Sequence, residues 1–81
     1  MNQPPQSYDI ENCVQKSLEK YFHDLDGEKP CNVYATVIKF VERPMLAQVL
    51  KEVEGNQTKA AEILGINRNT LRKKLLEYQL I

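Results

Sequence analysis

The stretch GNQTKAAEILGINRNTLRKKL, residues 55–75, decides how this chain is read. Gly55 punctuates, and Asn56 can cap a helix because its side-chain oxygen accepts from a backbone N–H of the first turn. That helix runs over residues 57–64, and Gly65 supplies the left-handed residue that ends it. Asn67 can cap a last helix over residues 68–78. Two short helices joined by a tight turn are the helix-turn-helix plan, whose second helix lies in the DNA major groove. Counting from Gln57, Ala61 falls fifth, where the helices touch and a larger side chain forces them apart. Gly65 falls ninth, at the turn. Ala60, Leu64, Ile66 and Leu71 supply the small apolar core that fixes the crossing. One expected apolar position near the end holds Lys74, with Leu75 beside it. That fit is imperfect.

The polar residues of the stretch carry matching chemistry. Asn67, Arg68 and Asn69 open the last helix, the part that meets base edges in this geometry. Arg gives two hydrogen bonds to guanine and Asn two to adenine, each pair worth about 1–3 kcal/mol of discrimination. Thr58 and Thr70 are short hydroxyl donors suited to phosphate, as are backbone amides at helix starts. Arg72, Lys73 and Lys74 neutralise phosphates and release counterions. Each has a plainer alternative. Asn56 and Asn67 can be caps and nothing more, Thr70 can serve only the first turn, and a charge run can be a solvated face.

Upstream, Met1–Ser7 has no periodicity and carries Pro4-Pro5, which predicts a disordered tail over residues 1–8. Residues 9–81 form one helical domain, with 9–54 as dimerisation helices and 55–81 as the helix-turn-helix. Ile10, Cys13, Val14, Leu18, Tyr21, Phe22 and Leu25 make one apolar stripe at helical period, with Asp9 as cap and Gly27 as stop. Asn32 can cap a second helix from about Val33 to Val53. Eleven of its twenty-one residues are apolar and spread beyond a single stripe, so it needs cover on two sides. The rest of the chain is too short to provide it. A second copy of the chain is the expected cover, over Val14, Leu18, Tyr21, Phe22, Val37, Ile38, Val41, Leu46 and Val49. Pro44 interrupts this helix, at a cost of roughly 3 kcal/mol in a helix interior. The helix either breaks near Arg43 or persists with a kink. With no strand-period segment, the fold class is all-α with four helices.

Composition narrows the function. At 81 residues the chain allows one domain with a thin core. Net charge is zero, yet residues 1–54 carry six Lys/Arg against nine Asp/Glu, and residues 55–81 carry five Lys/Arg against Glu62 and Glu77. The net −3 and +3 halves describe a local positive footprint, or else an accidental dipole. Cys13 and Cys31 have no metal-ligand spacing with His23, and read as reduced, partly buried thiols. Tyr21, Tyr34 and Tyr78 read as core or rim residues. No apolar run approaches the roughly 18 residues of a membrane span. With one histidine, no metal cluster and no phosphate-binding glycine loop, the chain does not read as an enzyme. No cofactor, metal, membrane or small-molecule substrate is expected.

Residues 55–75 resemble the C-terminal helix-turn-helix of the bacterial Fis family, the factor for inversion stimulation, and also the DNA-binding end of NtrC-type activators. VQKSLEKYFHDLDG and VYATVIKFVERPMLAQVLKEVEGNQ extend the likeness to Fis from about Asp9 to the end. The resemblance implies an intertwined homodimer of the first two helices, with Pro44 kinking one continuous helix. It implies that Arg68 reads guanine and Asn67 a neighbouring base. Asn56, Thr58, Thr70 and Lys73 match phosphate-contacting positions, with Arg72 and Lys74 on the flanks. It further implies a cytoplasmic, nucleoid-associated protein that bends DNA around a deformable A/T-rich centre, which is indirect readout.

Two departures from the family stand out. Members that stimulate DNA inversion carry a longer N-terminal hairpin, so this chain is expected to bind and bend DNA without activating inversion. Lysines that the best-known members place after the basic run are replaced by Leu76 and Glu77. With about two fewer phosphate contacts per subunit, the salt dependence becomes shallower. The alternatives are a detached activator domain, against which a Met1 start and family length weigh, and a dimeric helical adaptor that sets its basic helix on an acidic protein.

Overall fold

The computed structural model describes Pro4 and residues 8–81; the remainder of the expected N-terminal tail lies outside the described residues. Four helices follow in order, α1 (Tyr8–Asp24), α2 (Val33–Glu52), α3 (Gln57–Leu64) and α4 (Arg68–Glu77). No strand occurs among the described residues, and the fold is all-α. Tyr8 already belongs to α1, so Asp9 stands in the first turn, where a negative charge favours the helix dipole, and not at the cap. Asn32 stands at the cap position of α2, where its carbonyl accepts the first helical bond from Thr36 N–H at 3.0 Å, and it takes a left-handed φ of 53°. α2 runs through Pro44 without a break, so of the two outcomes open in the sequence the helix continues.

The chain divides into two units, Met1–Val37 and Ile38–Ile81. In the first, Val14, Leu18, Tyr21 and Leu25 of the α1 stripe are half-buried, while Ile10 and Phe22 stand exposed. Phe22 meets Tyr21 edge to face, with ring centroids 5.3 Å apart. Lys20 and Asp24 pair one turn apart at 2.8 Å, an exposed pair of small worth. Cys13 and Cys31 are free and exposed, not partly buried as expected, and Tyr34 is 82% exposed, far from a core position.

The second unit contains the core. Leu46, Ala60, Ala61, Leu71, Leu75 and Tyr78 are buried, and Val49, Leu50, Val53, Leu64, Ile66 and Leu80 pack around them. Ala60, Leu64, Ile66 and Leu71 therefore take the places their spacing predicts. Leu46 does not. Assigned to the dimer surface, it is 1% exposed and sits inside the chain's own core. The wide apolar surface of α2 explains the difference. One of its faces is consumed by α3 and α4, and only the other is left over.

The turns close by one repeated device. After α3, Gly65 takes φ 74°, its N–H bonds Glu62 carbonyl at 3.2 Å, and Ile66 N–H bonds Ala61 carbonyl at 3.1 Å. This pair of bonds is the Schellman motif, and it satisfies carbonyls that a helix end otherwise leaves bare. The same pattern ends α2, where Gly55 N–H reaches Leu50 carbonyl at 2.9 Å and Glu54 N–H reaches Lys51 carbonyl at 3.1 Å. It ends α4 as well, through Leu80 to Leu75 at 2.8 Å and Gln79 to Leu76 at 3.1 Å. In this motif after α3 the left-handed residue is a glycine. After α2 and α4 it is Glu54 and Gln79, at φ 54° and 57°.

Gly65 thus has a conformational task and no steric one, since a Cβ there meets nothing within 4 Å. Gly65→Ala should cost about 1–2 kcal/mol, the left-handed penalty of an L-residue, and Gly65→Asn less. Urea denaturation of the two variants checks the order.

Candidate nucleic-acid interface

α4 is placed by its buried stripe Leu71, Leu75 and Tyr78, which recurs at helical spacing and faces the core. The opposite face is polar and open. Asn56, Thr58, Asn67, Arg68, Asn69, Thr70, Arg72 and Lys73 are all exposed. Between the starts of α3 and α4 lies an open hollow of about 490 Å³, lined by Gly55, Gln57, Thr58, Arg68, Asn69 and Arg72. The structure brings together Thr58, Arg68, Asn69 and Arg72 from the expected set. Gln57 joins them; the first residue after a capping Asn carries no signal of a binding role in the sequence. Arg68 Nη1 donates to Thr58 Oγ1 at 3.4 Å, a long bond that holds the guanidinium across the hollow. Thr70 lies outside the lining residues, on another side of α4.

The two asparagines act as caps. Asn56 Oδ1 accepts from Lys59 N–H at 3.1 Å, and Asn67 Oδ1 from Asn69 N–H at 2.7 Å. Capping uses one of the two lone pairs of the carbonyl oxygen and leaves the amide hydrogens as donors. A two-bond contact to adenine needs both ends of the amide. The Asn67 oxygen is already shared with a backbone N–H, while Asn69 is exposed and not a cap.

Lys74, expected near a phosphate, pairs here with Glu42 of α2, Nζ to Oε2 at 2.8 Å, and is only partly exposed. Tyr78 hydroxyl donates to the other oxygen of the same carboxylate at 2.5 Å. The hydrogen bonds from Lys74 and then from Tyr78 hold the Glu42 carboxyl below its ordinary value. In turn Glu42 raises the Lys74 ammonium, and pushes the Tyr78 phenol up to about 12. Neither Glu42 nor the Tyr78 hydroxyl figured among the functional residues in the sequence. The signal was the lysine standing at an apolar position, which calls for a partner.

Among the described residues no group of His, Cys, Asp and Glu could hold a metal ion, and no helix is long and apolar enough to cross a membrane. Residues 37–78 match the family model described as bacterial regulatory protein, Fis family. A Neisseria meningitidis serogroup A protein named as Fis-like and DNA-binding is 51% identical over 73 residues, covering 90% of this chain and 92% of its own. A similarly named protein of Ralstonia nicotianae is 53% identical over 72 residues, covering 89% and 94%. The DNA-binding protein Fis of Actinobacillus succinogenes is 48% identical over 69 residues, covering 85% and 70%. The chain belongs to the Fis family.

For this Fis-family chain, a regulatory protein and not an enzyme, the α2–α4 contact carries a pH signature. Tyr78 ionises near 10 when unfolded and near 12 when folded, so its contribution is complete below pH 10 and is lost as pH rises towards 12. Lys74, also raised, loses its contribution in the same direction. Glu42 runs the other way. Its contribution is present above its usual 4.5 and is lost as pH falls below that value. Tyr78→Phe should therefore flatten the alkaline fall in stability, and Glu42→Gln the acid one, in urea denaturation across pH.

Proposed function

We propose that this chain is a homodimeric DNA-binding and DNA-bending protein of the cytoplasm, acting on the nucleoid and in transcription regulation. The observation that carries the proposal is the exposed start of α4, where Arg68, Asn69 and Arg72 surround a hollow into which the first turn of α3 also opens. Such a hollow offers guanidinium and amide donors to base edges while the hydroxyl of Thr58 and the amides of the two helix starts face a phosphate. Arg68 takes guanine, Asn69 and the donating end of Asn67 read the neighbouring bases, and Asn56, Thr58, Thr70, Arg72 and Lys73 hold the backbone. The names of the Neisseria and Actinobacillus relatives support DNA as the partner.

A second copy of the chain supports the rest. Ile38, Phe40, Val41 and Met45 are exposed on α2, and Ile10 and Phe22 on α1, more large apolar surface than a small lone chain keeps in water. With Leu46 removed from the surface, the dimer contact comprises Val14, Leu18, Tyr21, Phe22, Val37, Ile38 and Val41, with Val49 at its margin against the core. Two copies present two α4 helices to one duplex. Where these stand closer than the roughly 34 Å of one DNA turn, the duplex must bend and its central minor groove narrow. An A/T-rich centre deforms at least cost, and specificity then includes bases that no side chain touches.

The test is fluorescence anisotropy on two duplexes of about 27 base pairs, two to three turns, differing only in A/T or G/C central pairs. The A/T-centred duplex should bind tighter, with affinity falling steeply as salt rises, and sedimentation should give the mass of two chains. Arg68→Ala should lose about 1–3 kcal/mol at a flanking guanine and little where that guanine is replaced. Equal affinity for both duplexes would remove bending, and no binding at low salt would remove DNA in favour of an acidic protein partner.

A further inference from the structure

Glu42 stands among apolar residues of α2, with its side chain 17% exposed and that of Lys74 33% exposed. Its two carboxylate oxygens are divided between two residues one turn apart, Oε2 to Lys74 of α4 and Oε1 to Tyr78 at the C-cap of that helix. We propose that Glu42 is a positioning residue for the recognition helix, fixing the direction of α4 through Lys74 and Tyr78 and withdrawing Lys74 from the phosphate-contacting set. This rests on the DNA-binding reading of α4 given above.

The helical geometry separates Lys74 from its neighbour. At about 100° per residue, Lys74 lies about 60° around the axis from buried Leu71, whereas Lys73 lies about 160° away and faces outward. The two adjacent lysines therefore have different surroundings. Moving Lys74 to a phosphate would leave a half-buried carboxylate without its cation and with the Tyr78 hydroxyl as its remaining donor, which costs more than an exposed pair returns. The apolar core beneath α4 is non-directional, since burial rewards area and not angle. A carboxylate gripping two donors one turn apart is directional. It holds the C-terminal half of α4, and Arg68 stands about 9 Å further along the axis at 1.5 Å per residue. Slack at the grip becomes displacement at the base edge.

The experiment measures the slope of log K against log salt, together with discrimination for a flanking guanine, in the full chain and three variants. Lys73→Met reports the interface itself and should lower the slope by about 0.9 for each phosphate that it leaves without a cation. Lys74→Met should leave the slope at the wild-type value while guanine discrimination falls about 3- to 10-fold. Glu42→Gln keeps an acceptor of the same shape, so it should fold, and it should lose discrimination to a similar extent without lowering the slope. A slope lowered by Lys74→Met as much as by Lys73→Met overturns the withdrawal of Lys74. Wild-type discrimination in Glu42→Gln overturns the positioning role. A wild-type chain that binds no duplex overturns the DNA reading first, and the proposal with it.

Discussion

Leu46 is the contact on which the rest depends. It projects from α2 into the angle between α3 and α4, where Ala60, Ala61, Leu71, Leu75 and Tyr78 close over it. Without it the helix-turn-helix is two helices of 8 and 10 residues, below the length at which isolated helices persist in water. Full burial of one leucine returns roughly 1.5–3 kcal/mol, a large part of what so small a core can supply. The two alanines opposite matter for the same reason. Their small side chains let α3 approach closely enough to cover Leu46, and any larger residue would lift it off.

That contact also explains why α2 carries so much apolar surface. The face bearing Leu46, Val49, Leu50 and Val53 is covered by the chain itself. Of the residues left outside, Ile38, Val41 and Met45 lie to one side of that face and Phe40 to the other. A helix that is apolar beyond the face its own chain covers cannot show one clean stripe, and its continuity through Pro44 keeps its faces on one rod. Packing of the Leu46 face against α3 and α4 offsets the hydrogen bond that the proline removes.

Much of this was legible in the sequence, and the exceptions have physical causes. The limits of α3, the two asparagine caps and the turn at Gly65 follow from local chemistry, in which each backbone donor or acceptor finds its partner within a few residues. Leu46 and Lys74 escape such a reading because their partners lie far along the chain. Periodicity states that Leu46 is buried without saying by what, and composition states that Lys74 is charged without revealing Glu42 across the core. Glu54 and Gln79 are hidden as left-handed residues for a related reason. Glycine announces such a position, whereas a polar residue that takes it under pressure from the following contact leaves no trace. Asn32 reads as a cap from its residue type, and periodicity says nothing of its backbone φ.

Segregation of charge lets a chain of zero net charge hold a polyanion. The lining of the hollow at the start of α4 contains two arginines and no carboxylate, so the local potential is set there and not by the total. Pairing sharpens the separation. Glu42 is the acid bonded to the C-terminal half of α4, and by engaging Lys74 it is neutralised at the side of the helix that faces the core. An unpaired Glu42 would leave a negative charge beneath the same helix. The lysine that looks surplus to the basic run therefore balances a carboxylate that would otherwise subtract from the field of Arg68, Arg72 and Lys73.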